Sequence, residues 1–160
     1  MEQLTNNYIA RAEAWLIITT LAYFLMNGAQ IFETAVIVPK WSVSPPDSLS
    51  MFKGPYGLDF KAFWIITHII HELTFILAII FCWKIGVVRN WLLLLFILRM
   101  AVRVWTVAYF APNMINFQRI AQTAQDIPNL VERANLWRTL NYIRVAIFMA
   151  ISLGLLPLCS

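Results

Sequence analysis

An all-α, integral membrane four-helix bundle is the fold class this sequence predicts, and three observations predict it. The chain is 61% hydrophobic and only 12% charged, with a mean hydropathy of +0.70. A water-soluble domain of 160 residues carries more polar surface than that. Four stretches reach the roughly 20 apolar residues that a spanning helix needs: 14–38, 60–83, 91–110 and 136–156. The polar residues inside them recur at three- and four-residue spacing, which places them on single helix faces. A single four-span domain over 1–160 follows, with no internal repeat and no room for a separate soluble domain.

The formal charge of +4 is no nucleic-acid signature, because the basic residues are scattered rather than gathered on one stripe. The expected partner is the lipid bilayer. Trp15, Trp41, Trp83, Trp91 and Trp137 lie near predicted span ends, as interfacial aromatic belts require. Cys82 and Cys159 are too few for a disulfide framework. A single bridge is geometrically open to them, and free thiols are preferred.

Residues 1–13 are polar, with Glu2, Arg11 and Glu13. The acidic start and the long apolar run behind it read as a retained first span, not a cleaved signal. Along that span Tyr23, Asn27, Gln30 and Thr34 share a face, with Glu33 beside it. Pro39 is expected to end the helix, since proline disfavours helical geometry in the residue before it. Residues 40–59 form a long loop punctuated by Pro and Gly. Its Trp41, Met51, Phe52 and Tyr56 can pack down on the bundle, either as a lid over a cavity or as an interfacial loop.

The second span carries Thr67, His68, His71, Glu72 and Thr74 on one broad arc. A tight connection at 84–90 makes spans two and three antiparallel neighbours. Arg99, Arg103 and Thr106 form a stripe on span three, continued past its end by Asn113. A short amphipathic helix at 118–125, broken at Pro128, is expected to lie on the membrane surface between spans three and four. Span four places Trp137, Asn141 and Arg144 on one face. Lys and Arg are divided between the two sides in a way that assigns no orientation.

Depth brings these groups together. Counting inward from the long-loop side at about 1.5 Å per residue, Glu33 and Asn141 fall roughly 8 Å in. His68, Arg103 and Arg144 fall roughly 10–12 Å in, and His71, Glu72 and Arg99 roughly 16–18 Å. Polar faces at membrane depth are satisfied by turning toward one another. The result is a polar pocket opening toward the long-loop side.

Three readings of that pocket stand side by side. His68, His71 and Glu72 have the spacing to converge on a divalent metal, with Glu33 available to complete the set. The order is not that of the His-Glu-x-x-His zinc proteases. Haem is disfavoured, because axial ligands approach from opposite faces and both histidines sit on one helix. Alternatively, Glu72 with Arg99, and Glu33 with Arg103 or Arg144, are structural ion pairs that fix helix register. The third reading is a metal-free pocket or ion path. Arg99, Arg103 and Arg144 outnumber Glu33 and Glu72, which invites an anionic guest such as a phenolate, carboxylate or lipid phosphate.

Three local patterns carry a family likeness: Gly28-Ala29-Gln30-Ile31-Phe32 running to Val38-Pro39, Pro112-Asn113 with Asn116, and Leu136-Trp137 with Leu140-Asn141 and Arg144. Together they resemble the anthrone-oxygenase-like family of small four-helix membrane proteins, most of whose members have no assigned function. The resemblance implies a last helix bearing Trp137, Asn141 and Arg144 as its Trp, polar residue and Arg. It also implies an oxidative reaction on a hydrophobic aromatic substrate; His68 and His71 match no motif of the family.

The expected function is therefore an oxidoreductase-like membrane enzyme acting on a lipophilic aromatic small molecule. His71 or Glu72 would abstract a proton, and Arg103 with Arg144 would stabilise the anion. Asn27, Gln30, Glu33, Arg99, Asn113, Trp137 and Asn141 would line the substrate site. One alternative is a small transporter or proton-pathway subunit relaying protons through Glu33, His68, His71 and Glu72. Another is a structural subunit of a larger complex, and a homo-oligomer is compatible with all three.

Overall fold

The computed structural model describes residues 5–123 and 127–159. Glu2 of the polar start and Gln125 of the expected amphipathic helix lie outside the described residues. Among those described, every regular element is helical and none is a strand. Four helices are long and apolar enough to cross a membrane: α1 (Asn6–Ser42), α2 (Lys61–Phe81), α3 (Gly86–Thr123) and α4 (Leu130–Leu158). Thr5 caps α1, its Oγ1 accepting the Tyr8 N–H at 3.4 Å.

The helices close a ring in which α1 packs on α2 and α4, and α3 on α4 and α2. The short connection between Phe81 and Gly86 leaves α2 and α3 antiparallel. One core sits at the end bearing the tight α2–α3 connection, where Met26, Phe75, Leu92, Leu95, Phe148 and Ile151 meet. A second core at the opposite end joins Trp41, Leu49 and Phe52 to Phe110, Phe117, Leu130 and Trp137. The long loop is thus part of the interior. Gly57 is fixed by its close return to the chain, since a Cβ there would lie 2.7 Å from the Phe52 carbonyl carbon.

Pro39 does not end α1. The helix is α-helical to Phe32, π-helical over Glu33–Ile37, and α-helical again over Val38–Ser42. Proline lacks an N–H, and its ring crowds the carbonyl four residues back. The wider π turn, closed by Val38 N–H donating to the Glu33 carbonyl, separates these groups and lets the helix continue. Helix α3 repeats the device, with a π turn at Thr106–Phe110, Ala111 N–H donating to the Thr106 carbonyl, and Pro112 just beyond. Side chains satisfy nearby carbonyls: Thr106 Oγ1 donates to Val102 at 2.8 Å, Asn113 Nδ2 to Tyr109 at 2.8 Å, and Trp137 Nε1 to Phe110 at 3.3 Å.

The surface helix expected between spans three and four is instead the last segment of α3, Ala111–Thr123, continuous with the span. Its Phe117, Ile120 and Ala121 are buried in the second core. Two of the expected belt tryptophans are also core residues. Trp41 and Trp137 are buried and meet edge-to-face at 5.1 Å. Trp83 and Trp91 are exposed near the tight connection, Trp91 Nε1 donating to the Gly154 carbonyl at 2.7 Å. Cys82 and Cys159 are free thiols, and burial pushes the Cys82 thiol up to about 11.

Candidate functional site

Each π turn begins with a residue that faces the same space: Glu33 on α1 and Thr106 on α3 both line a cavity of about 320 Å³. This is the small end of the roughly 300–1,000 Å³ range of ligand pockets. Helices α1 and α4 supply its back wall through Gln30, Glu33, Trp137, Arg144 and Phe148. Trp64 and His68 of α2, with Arg103, Thr106 and Phe110 of α3, form the front. Phe60, Lys61 and Gln118 border its outer end. No residue of 40–59 lines it; the loop is packed into the second core and is not its lid.

Arg144 is held in place from two directions. Its Nη2 donates to Asn141 Oδ1 at 2.6 Å, and Asn141 Nδ2 donates to Thr34 Oγ1 at 2.9 Å. The guanidinium lies 4.3 Å over the Phe110 ring and 6.0 Å from that of Trp137, contacts that favour a cation on aromatic faces. This chain Thr34–Asn141–Arg144 ties α1 to α4, so both helices position the charge.

A second polar layer lies deeper. Glu72 Oε1 sits 3.7 Å from Arg99 and 3.4 Å from Arg103. Arg99, 1% exposed, stands 5.2 Å from the centre of the Tyr23 ring, which in turn lies 3.7 Å from the His71 ring. Tyr23 Oη, both His71 ring nitrogens and the Arg99 guanidinium nitrogens make no well-formed hydrogen bond to protein atoms; Arg99 is the polar neighbour of the Tyr23 hydroxyl and the Ala22 backbone that of His71. Buried polar atoms left in this state are characteristic of sites that hold water or ligand rather than of a finished core.

The residues singled out from sequence therefore divide. Gln30, Glu33, His68, Arg103, Trp137 and Arg144 share the cavity. His71, Glu72 and Arg99 lie beneath it and do not line it. Asn141 acts through Arg144, while Asn27 Nδ2 binds the Phe148 carbonyl at 3.4 Å and the Ser152 hydroxyl, an α1–α4 contact. Asn113 turns to the Tyr109 carbonyl and to Arg133. The proposed metal set of His68, His71 and Glu72 is not brought together. His71 stacks on Tyr23, Glu72 faces the arginines, and His68 faces the cavity. Among the described residues no group of three His, Cys, Asp or Glu side chains is placed to hold a metal.

Sequence reasoning missed Phe60 and Trp64, which precede His68 at four-residue spacing and continue its face. It also missed Val107 and Phe110, inside the expected third span, and Met114, past its expected end at residue 110, all of which continue the Arg103 stripe. No family model, curated protein or solved structure matches this chain.

Proposed function

We propose that the chain is a multi-pass membrane protein whose interior cavity takes a lipophilic aromatic molecule bearing an acidic oxygen, a phenolate or a carboxylate. Support for the membrane comes from four apolar helices whose outward faces carry exposed Leu21, Leu25, Ile66, Ile70, Val104 and Leu153. So large an apolar surface calls for lipid rather than water. The observation that carries the binding reading is Arg144, pre-positioned beside Arg103 in a cavity whose remaining polar lining is Gln30, Glu33, Lys61, His68, Thr106 and Gln118 and whose other walls are aromatic and aliphatic. Arg99, Arg103 and Arg144 against Glu33 and Glu72 leave a positive excess among these inward-facing groups, and an anionic guest offsets it where dielectric screening is weak.

If the resemblance to anthrone-oxygenase-like proteins holds, such a guest is oxidised by an external oxidant, dioxygen in the case of an oxygenase, which takes up the electrons. The base then falls to His68 or Glu33, which line the cavity, in place of His71 or Glu72, which do not. Proton-pathway transport has no matching observation. Beneath the Glu72 layer the interior is packed by Phe75, Phe96, Leu92, Leu95 and Ile151. The bridge from Glu72 to two arginines also fixes α2 against α3, a structural task compatible with the pocket above it.

The test is calorimetric titration of detergent-purified protein with propyl 4-hydroxybenzoate. Arg144→Gln should weaken binding at least about tenfold, the scale of one charge-assisted contact. Leu25→Ala, on the outward face, should bind as the parent does. Equal affinity of Arg144→Gln and the parent would refute the assignment.

A further inference from the structure

We infer that the guest enters sideways, between α2 and α3, and that it is a phenolic ring carrying an apolar tail which stays in the surrounding lipid. The inference rests on the binding reading above and names the route and the substrate class. Ile65, Val107 and Ile115 line the cavity and are also 47%, 59% and 59% exposed. Such exposure of cavity-lining side chains on both helices points to an opening of the cavity onto the outer surface between them. The back is closed, with Gln30, Trp137 and Phe148 each buried.

The opening has a structural cause. Helices α2 and α3 are in contact lower down, where the Phe75 and Phe96 rings lie 5.5 Å apart and Glu72 reaches Arg103 at 3.4 Å. Above that bridge α3 passes through its π turn at Thr106–Phe110, and the cavity fills the space between the two helices. Polarity runs along the same line. Arg103, Arg144, Glu33 and His68 supply the charged and titratable side chains of the inner walls, Lys61 stands at the outer end, and Ile65, Val107 and Ile115 stand at the mouth between the two helices. A volume of about 320 Å³, roughly twice the ~150 Å³ that encloses benzene, holds a ring with a short substituent but not a long alkyl chain as well. A tail on that ring therefore has to leave, and the apolar mouth is where it leaves without a desolvation cost. A ring oxygen directed at Arg144 with an alkyl chain trailing past Val107 satisfies charge and hydrophobicity together.

The experiment uses the full chain in phosphatidylcholine nanodiscs. The probe is a dodecyl 4-hydroxybenzoate with a diazirine near the tail terminus, irradiated with and without excess propyl 4-hydroxybenzoate, and labelled peptides are mapped by mass spectrometry. The expected result is label on the outward surfaces around Ile65, Val107 and Ile115, removed by the short ester and reduced at least tenfold in Arg144→Gln. Competed label confined to another surface, such as residues 43–59 or the α1–α4 seam, would overturn lateral access while leaving the pocket standing. Absence of any competed label would overturn both.

Discussion

Glu72→Gln separates structure from chemistry in the deeper polar layer. The carboxylate lies 3.7 Å from Arg99 and 3.4 Å from Arg103. At an effective dielectric of about 20 each contact is worth roughly 4–5 kcal/mol before desolvation is subtracted. Removing one partner of a buried pair costs about 3–5 kcal/mol. The Glu72 side chain is 30% exposed, so solvent screening lowers the expected loss to about 2–3 kcal/mol. For a chain of this size that is a fall in Tm of about 5–10 °C. Circular dichroism melts in detergent micelles would read it. Arg99→Met in the same chain removes the stranded cation and should recover part of the loss, a coupling of about 1–2 kcal/mol. Binding of propyl 4-hydroxybenzoate should change by less than about threefold, because Glu72 does not line the cavity. An unchanged Tm, or strictly additive effects of the two substitutions, would refute the bridge. A large loss of binding with unchanged stability would return Glu72 to the chemistry.

Tyr23→Phe removes a buried hydroxyl that makes no well-formed hydrogen bond, Arg99 being its polar neighbour, and keeps the ring on His71 and Phe75. It should raise stability by up to about 1 kcal/mol in denaturant titrations, and a loss of that size would contradict the orphan assignment. Pro112→Ala restores an N–H and removes the clash that the Thr106–Phe110 π turn relieves. A more stable helix and weaker ester binding are expected, whereas lower stability would show that the π turn has another cause. Dialysis against EDTA should leave ester affinity within about twofold, since His68, His71 and Glu72 do not converge; a marked loss would reinstate a metal there.

Much of the candidate site was legible because spanning helices obey a short list of rules. Gln30, Glu33, His68, Arg103 and Arg144 were found from depth and face alone, and all five line one cavity. His71 and Glu72 share that broad arc, yet small differences in angle and a turn of depth place them in the layer below. Helical periodicity fixes a face only to within a few tens of degrees. It says nothing of which neighbour takes up the side chain. Pro39 misled for a related reason: a proline announces a lost hydrogen bond, while the π turn that absorbs it depends on helices packed on either side.

The amino-acid sequence by itself determined that four long apolar helices would form and which faces would turn inward, since composition and 3.6-residue spacing are local properties. Only the tertiary structure decided that α1 and α3 carry matched π turns before their prolines. The same is true of the buried tryptophan pair at the long-loop end and of the cavity mouth between α2 and α3. These depend on how close two helices come to each other. That separation is set by side chains distant in sequence filling or failing to fill the space between them.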